Sequence, residues 1–130
     1  MPLRVAKMFT YSQSTGQLKN AEYEDEILGV GYSGNGAGKN NPAMQNVKDV
    51  GPIPQGLYVF GEPTTEKGPL TIPLEPDLES GQNMFGRSGF LIHGDSLEHP
   101  GEASEGCIVL GPEVRDMIAT AGDFVLKVIP

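Results

Sequence analysis

Gly89-Phe90-Leu91-Ile92-His93-Gly94-Asp95-Ser96 and, after a polar connection, Ser104-Glu105-Gly106-Cys107-Ile108-Val109-Leu110 form the most informative stretch of this sequence. Each half holds one apolar run. Both runs are too short for a helix and of the right length for a buried strand. Gly89–His93 therefore reads as a strand ending on an imidazole, and Cys107–Leu110 as a strand starting on a thiol. The loop between them is polar and contains glycine. That arrangement sets both side chains at the mouth of a rigid scaffold. A thiol attacks only as thiolate, and a neighbouring imidazole can take its proton. Gly106, just before the thiol, lets backbone N–H groups approach an incoming carbonyl, as an oxyanion hole requires. A single Cys beside Ile108, Val109 and Leu110 is equally the picture of a small buried hydrophobe, so residue types alone leave both readings open.

Outward from this stretch the chain reads as mainly β with one short C-terminal α-helix, about 112–121. Val5–Tyr11 is a strand candidate, followed by a turn at Ser12–Gly16. Glu22–Glu26 is an acidic patch. Ile27–Tyr32 is a short strand interrupted by Gly29 and Gly31, and Ser33–Pro42 a flexible Gly/Asn-rich loop that could wall a cleft. In Gly51-Pro52-Ile53-Pro54-Gln55-Gly56 the prolines cannot donate ladder hydrogen bonds, so the segment leads into a strand at Leu57–Phe60. Thr64–Gly81 is polar and proline-rich and reads as a long surface excursion. Pro112 suits a first helical position, and Val114, Met117, Ile118 and Ala121 follow helical spacing until Gly122 stops them. Phe124–Ile129 closes the chain as a strand. No repeat or linker divides the sequence, and residues 1–130 are expected to form a single catalytic domain.

Composition narrows the function classes. The 18 Gly and 11 Pro among 130 residues favour many turns and a β-rich fold. A formal net charge of −8 repels phosphate backbones and anionic lipid, so neither nucleic acid nor a membrane is an expected partner. With one cysteine, Cys107, there is no intramolecular disulfide and no multi-thiolate zinc site. No run approaches the length of a membrane span. The N-terminal residues include Arg4 and Lys7 but no apolar core, so no secretory signal is expected there.

Two further patterns carry less. Gly29, Gly31 and Gly34 match G-x-G-x-x-G, but the residues that follow favour loop over the helix such a fingerprint needs. His93, Asp95, His99 and Cys107 offer possible metal ligands. Only their spacing argues for a metal, and no metal or other cofactor is expected. His99 beside Pro100-Gly101 reads as a solvated loop residue, and Glu98, Glu102 and Glu105 as a solvated acidic face.

The wording of the central stretch resembles the L,D-transpeptidase (YkuD-like) catalytic domain, whose signature is a His ending a strand, a short loop, then Ser/Thr-His-Gly-Cys. Phe90-Leu91-Ile92-His93-Gly94 looks like the first part and Ser104-Glu105-Gly106-Cys107 like the second. Gly51-Pro52-Ile53-Pro54-Gln55-Gly56-Leu57-Tyr58 and Arg87-Ser88-Gly89 are similar to segments upstream of it. Tyr11-Ser12-Gln13-Ser14-Thr15-Gly16, Gly31-Tyr32-Ser33-Gly34, His93-Gly94-Asp95 and Ala103-Ser104-Glu105-Gly106-Cys107 resemble a small branch of type VI secretion effectors more closely still. The resemblance implies a YkuD-like β-sandwich or barrel. It implies Cys107 as nucleophile, His93 as general base, and Gly94 as the residue whose carbonyl orients the imidazole. Amides around Gly106 and Cys107 would form the oxyanion hole, with Ser104 supporting the loop. Arg87 is expected to hold a carboxylate of the substrate, with Asp95 also assigned to substrate.

Glu105 stands where the wider family has His, and Val109 where it has Asn or Arg. The His-to-Cys separation of 14 residues is short for that family. The implied activity is L,D-carboxypeptidase or L,D-transpeptidase action on peptidoglycan tetrapeptide stems. The chain is expected to be made in the cytoplasm and delivered to the periplasm of target bacteria. A cognate immunity protein and a secretion-system carrier are the implied protein partners. An inactive peptidoglycan-binding relative, or a phage- or secretion-associated structural module, is the alternative.

Overall fold

The computed structural model describes residues 8–20, 26–122 and 124–130. Among them run nine strands: β1 (Met8–Ser12), β2 (Gln17–Asn20), β3 (Ile27–Val30), β4 (Tyr32–Ser33), β5 (Gly56–Phe60), β6 (Ile72–Pro76), β7 (Leu91–His93), β8 (Ile108–Val109) and β9 (Val125–Ile129). One α-helix, α1 (Pro112–Ala121), lies between β8 and β9. The expected strand at Val5–Tyr11 is β1 in its described part, and residues 5–7 lie outside the described residues. So does nearly all of the Glu22–Glu26 acidic patch.

The strands form one sheet in the order β3-β2-β1-β9-β5-β6-β7-β8-β4. Its two edges, β3 and β4, are separated in sequence by Gly31 alone, so the sheet must curl until they meet. The result is a nearly closed, barrel-like structure, mainly β, as expected. The expected single strand at Ile27–Tyr32 is thus two strands on opposite edges. Gly31 marks the crossing because nothing larger fits: a Cβ there would stand 1.8 Å from the Val109 carbonyl oxygen. Most neighbours are antiparallel; β1 with β9 and β7 with β8 are parallel.

Alternation on the pleat fills the interior. Phe9 and Tyr11 of β1, Tyr58 of β5, Ile92 of β7 and Leu126 and Val128 of β9 point into one core with Ile53 and Ile108. Phe9 meets Phe60, and Tyr58 meets Phe90, edge to face. Ile118 of α1 joins the same core. The helix has Pro112 in its first turn and ends at Gly122 with φ 75°. Its apolar stripe is narrower than the spacing predicts, because Ala121 is exposed and the buried Arg115 takes a place on the inner face.

Two strands were not expected. The Thr64–Gly81 excursion contains β6, a central strand with Ile72 and Leu74 buried. Its Pro73 and Pro76 hide it in sequence, since proline removes ladder donors. Correspondingly, β6 pairs over three residues with β5 and two with β7. β2 is the return arm of a hairpin through Gly16, and its inward residues are Leu18 and Asn20, the second a buried polar side chain. Among the described residues no helix is long and apolar enough to cross a membrane.

Candidate active site

β7 and β8 run side by side, with Ile92 opposite Ile108 and His93 opposite Val109. This parallel pairing brings the end of one expected strand beside the start of the other. His93 and Cys107 line one cleft of about 400 Å³, together with Lys48, Asp49, Glu66, Lys67, the 86–91 segment, Glu102, Ala103, Glu105 and Gly106.

His93 is buried, and its Nδ1 lies 2.8 Å from the Gly94 carbonyl oxygen. A carbonyl only accepts, so Nδ1 carries the proton and donates it, and Nε2 keeps the free lone pair. The tautomer follows from backbone alone. The Cys107 thiol is partly exposed and stands 4.0 Å from the Gly89 carbonyl oxygen. Burial pushes its pKa above the ordinary thiol value, against a backbone hydrogen bond from Leu91 and the charge of Lys67, while Glu105 and Glu66 add to the upward push. Burial therefore favours the neutral thiol over the thiolate.

The turn that carries Cys107 is built around Ser104, which is 1% exposed. Its hydroxyl donates to the Cys107 carbonyl at 2.6 Å and accepts from the amides of Gly34 at 2.8 Å and Gly106 at 3.1 Å. Ser104 thus ties Gly34, Gly106 and Cys107 together. The Gly106 amide is engaged by that hydroxyl, which leaves the Cys107 amide as the other expected donor to an oxyanion. Gly106 itself has φ +126°, and a Cβ there would fall 2.2 Å from Nη2 of Arg87.

Arg87 lines the cleft, but its guanidinium is committed elsewhere. It is 6% exposed and donates to the carbonyls of Gln45 at 2.6 Å, Pro52 at 2.7 Å and Gly51 at 3.0 Å, with Glu105 at 3.5 Å. Desolvation lowers its pKa. With both Nη atoms engaged by these carbonyls, Arg87 pins the 45–52 segment to the Cys107 turn. Asp95 likewise serves the protein. Its carboxylate accepts from the Tyr32 hydroxyl at 2.6 Å and from the amides of Ser96 and Gly101. Desolvation pushes its pKa up, but these hydrogen bonds and Lys39 outweigh it and hold the carboxyl below its ordinary value.

The neck of the loop between His93 and Cys107 is closed by Tyr32, which donates to Asp95 and accepts from the Ala103 amide at 2.9 Å. The 33–42 segment does not line the cleft. It braces the turn from behind: Asn35 donates to the Ser104 carbonyl, and Lys39 to the Gly101 carbonyl while standing 4.3 Å over the Tyr32 ring. His99 is 70% exposed and lies 3.7 Å from Glu102. Among the described residues no three His, Cys, Asp or Glu side chains stand together as metal ligands.

Sequence reading missed Lys48, Asp49, Glu66 and Lys67, which reach the cleft from distant loops. It also missed Tyr32 as an anchor, although Gly31-Tyr32-Ser33-Gly34 stood out as a motif. No curated protein and no solved structure shows significant similarity to the chain. The sequence profile of the Tlde1 domain, however, matches residues 29–122, a span running from β3 through the His93–Cys107 cleft to the end of α1. The chain therefore belongs to the Tlde1 domain family of type VI secretion effectors.

Proposed function

We propose that the chain is a cysteine-dependent L,D-carboxypeptidase and L,D-transpeptidase acting on the tetrapeptide stems of peptidoglycan. The observation that carries this reading is the His93 imidazole, held in one tautomer by the Gly94 carbonyl, in the same cleft as the only thiol of the chain. A protonated thiol beside an imidazole with a free Nε2 is the starting state for general-base activation.

In the proposed reaction His93 Nε2 takes the Cys107 proton as the sulfur attacks the carbonyl carbon of the L-centre of diaminopimelate, the third residue of the stem. The Cys107 amide faces the developing oxyanion. Collapse of the tetrahedral intermediate breaks the bond to D-alanine, whose nitrogen leaves with the proton from His93. The thioester is then resolved by water, which gives the tripeptide, or by an amine, which gives exchange or a cross-link. The cleft carries both charge signs, Lys48 and Lys67 against Asp49, Glu66, Glu102 and Glu105. That suits a stem peptide, which bears carboxylates and a free ammonium. Loss of donor stems would starve cross-linking in a rival's periplasm, the compartment to which such an effector is delivered. A cognate immunity protein would act by plugging the cleft.

A second reading, a peptidoglycan-binding module without turnover, is favoured by one feature: burial disfavours the Cys107 thiolate, and Glu105, where the wider family has His, adds to that. Incubating the purified protein with disaccharide tetrapeptide, with and without D-methionine, and reading products by mass spectrometry separates the two. Loss of D-alanine or its replacement by D-methionine, abolished by Cys107→Ala, supports the enzyme. Peptide binding without product, or full activity in Cys107→Ala, sinks it.

A further inference from the structure

The 64–71 turn is far from Cys107 in sequence, yet it brings Glu66 and Lys67 to the cleft. It is firmly built. Thr64 and Thr71 exchange backbone hydrogen bonds at 2.7 and 2.9 Å. The fully buried Thr71 accepts from the Lys67 amide at 3.1 Å and donates to the Gly68 carbonyl at 2.9 Å. Arg115, buried on the inner face of α1, donates to the Pro69 and Leu70 carbonyls at 2.6 and 3.3 Å. The Lys67 side chain is therefore presented from a fixed backbone rather than from a loose loop.

Three other cations stand in or near the cleft. Arg87 is filled by backbone carbonyls, and Lys39 by the Gly101 carbonyl and the Tyr32 ring. Lys48, like Lys67, is exposed and lines the cleft, but it does not stand on the braced 64–71 turn. Lys67 is the lysine whose charge acts on the Cys107 sulfur. A substrate attacked by Cys107 at the carbonyl before its last residue carries its terminal carboxylate one residue further on, about 3.8 Å of chain. Lys67 and Cys107 line the same cleft, so the Lys67 ammonium can meet that carboxylate there.

We infer that Lys67 is the specificity residue of this cleft, pairing with the free C-terminal carboxylate of the bound peptide and so restricting cleavage to the last residue of a chain. The inference rests on the peptidase reading above for its substrate, but not on turnover for its test. Glu66 and Glu105 share the cleft and oppose an anion there. Lys67 must therefore outweigh them locally, and removing its charge leaves a site that repels the carboxylate.

The test is calorimetric binding to the Cys107→Ala protein of disaccharide tetrapeptide ending in a free carboxylate, against the same peptide ending in a carboxamide. The acid is expected to bind about tenfold more tightly or better, the scale of a charge-assisted hydrogen bond. Lys67→Met should erase that ratio, Lys67→Arg should keep it, and Lys48→Met should keep it. Melting curves report whether each variant is folded. Equal binding of acid and amide, no binding of either, or a ratio that survives Lys67→Met overturns the assignment. Turnover by the unmodified protein is read alongside. Carboxylate-dependent binding with no product from any stem would sink the peptidase reading and leave Lys67 in place.

Discussion

Replacing Gly106 with alanine tests the join between the Cys107 turn and the loops beneath it. The residue sits at φ +126°, where an L side chain is strained, and its new Cβ would lie 2.2 Å from Arg87 Nη2. That nitrogen is not the loose end of a solvated side chain. It donates to the Gly51 carbonyl at 3.0 Å, and its partner Nη1 holds Gln45 and Pro52. Backbone strain costs about 1–3 kcal/mol. Displacing one charged hydrogen bond from a buried carbonyl adds about 1.5–3 kcal/mol. The sum, about 2.5–6 kcal/mol, corresponds to a Tm lowered by roughly 9–22 °C for a chain of this length. Gly81→Ala is the control: its φ is also positive, at +75°, but a Cβ there meets nothing within 4 Å. It should cost about 1–2 kcal/mol of strain and no more. Scanning calorimetry of both variants, and of Gly106→Ala in an Arg87→Met background, reads the difference. In that background much of the Gly106→Ala cost should vanish, because the clashing group is gone. A Gly106→Ala melting point within two or three degrees of the Gly81→Ala one would refute the claim that Arg87 pins this turn.

Three further outcomes follow from the same geometry. Ser104→Ala leaves the buried amides of Gly34 and Gly106 without their acceptor and should cost about 2–4 kcal/mol in urea unfolding; an unchanged midpoint would count against the hydroxyl as the keystone of the turn. The alkylation rate of Cys107 by iodoacetamide should rise with pH and keep rising beyond about 8.5, the ordinary thiol value, because burial disfavours the thiolate. Glu105→Gln removes a neighbouring anion and should move that profile down, whereas Lys67→Met removes a cation and should move it up; shifts of the opposite sign would refute the charge assignment. Arg115→Lys keeps the charge but not the fork that reaches Leu110, Pro69 and Leu70 together, so amide exchange in residues 66–71 should quicken while the β1–β9 core stays protected.

What the sequence disclosed depended on whether local pattern and tertiary role agreed. β7 and β8 announce themselves because both are buried, so their residues are apolar without alternation. The helix announces itself through Pro112 and Gly122, which act on its own backbone. β6 does not, because Pro73 and Pro76 argue against a central strand and are tolerated only through a short ladder. β2 does not, because its inward face includes Asn20, a polar residue whose burial only the folded chain reveals. In the cleft, His93, Gly94, Ser104, Gly106 and Cys107 were legible as one motif, since they share a single stretch of chain. Lys48 and Lys67 were not, since nothing local distinguishes a lysine that lines a cleft from one on open surface.

Arg87 shows why the direction of a side chain is harder to read than its place. Arg87 lines the cleft, and a cation there is a chemically reasonable partner for an anion. The deciding fact lies elsewhere in the chain. The Gly51–Gly56 segment is rich in proline, which removes N–H donors and prevents the carbonyls there from being matched in a ladder. Those carbonyls are buried, so donors must come from side chains. Arg87 takes Gly51 and Pro52, Gln13 takes Ile53, and the Tyr58 hydroxyl takes Pro54. The same logic draws Arg115 to Pro69 and Leu70. In a chain with 11 prolines and only nine Lys and Arg residues, two cations are thus withdrawn into the interior to satisfy backbone. The cleft is left with lysines for whatever anion it binds. A proline-rich loop therefore predicts a buried donor close by, and the nearest arginine should be assigned to that loop before it is assigned to a substrate.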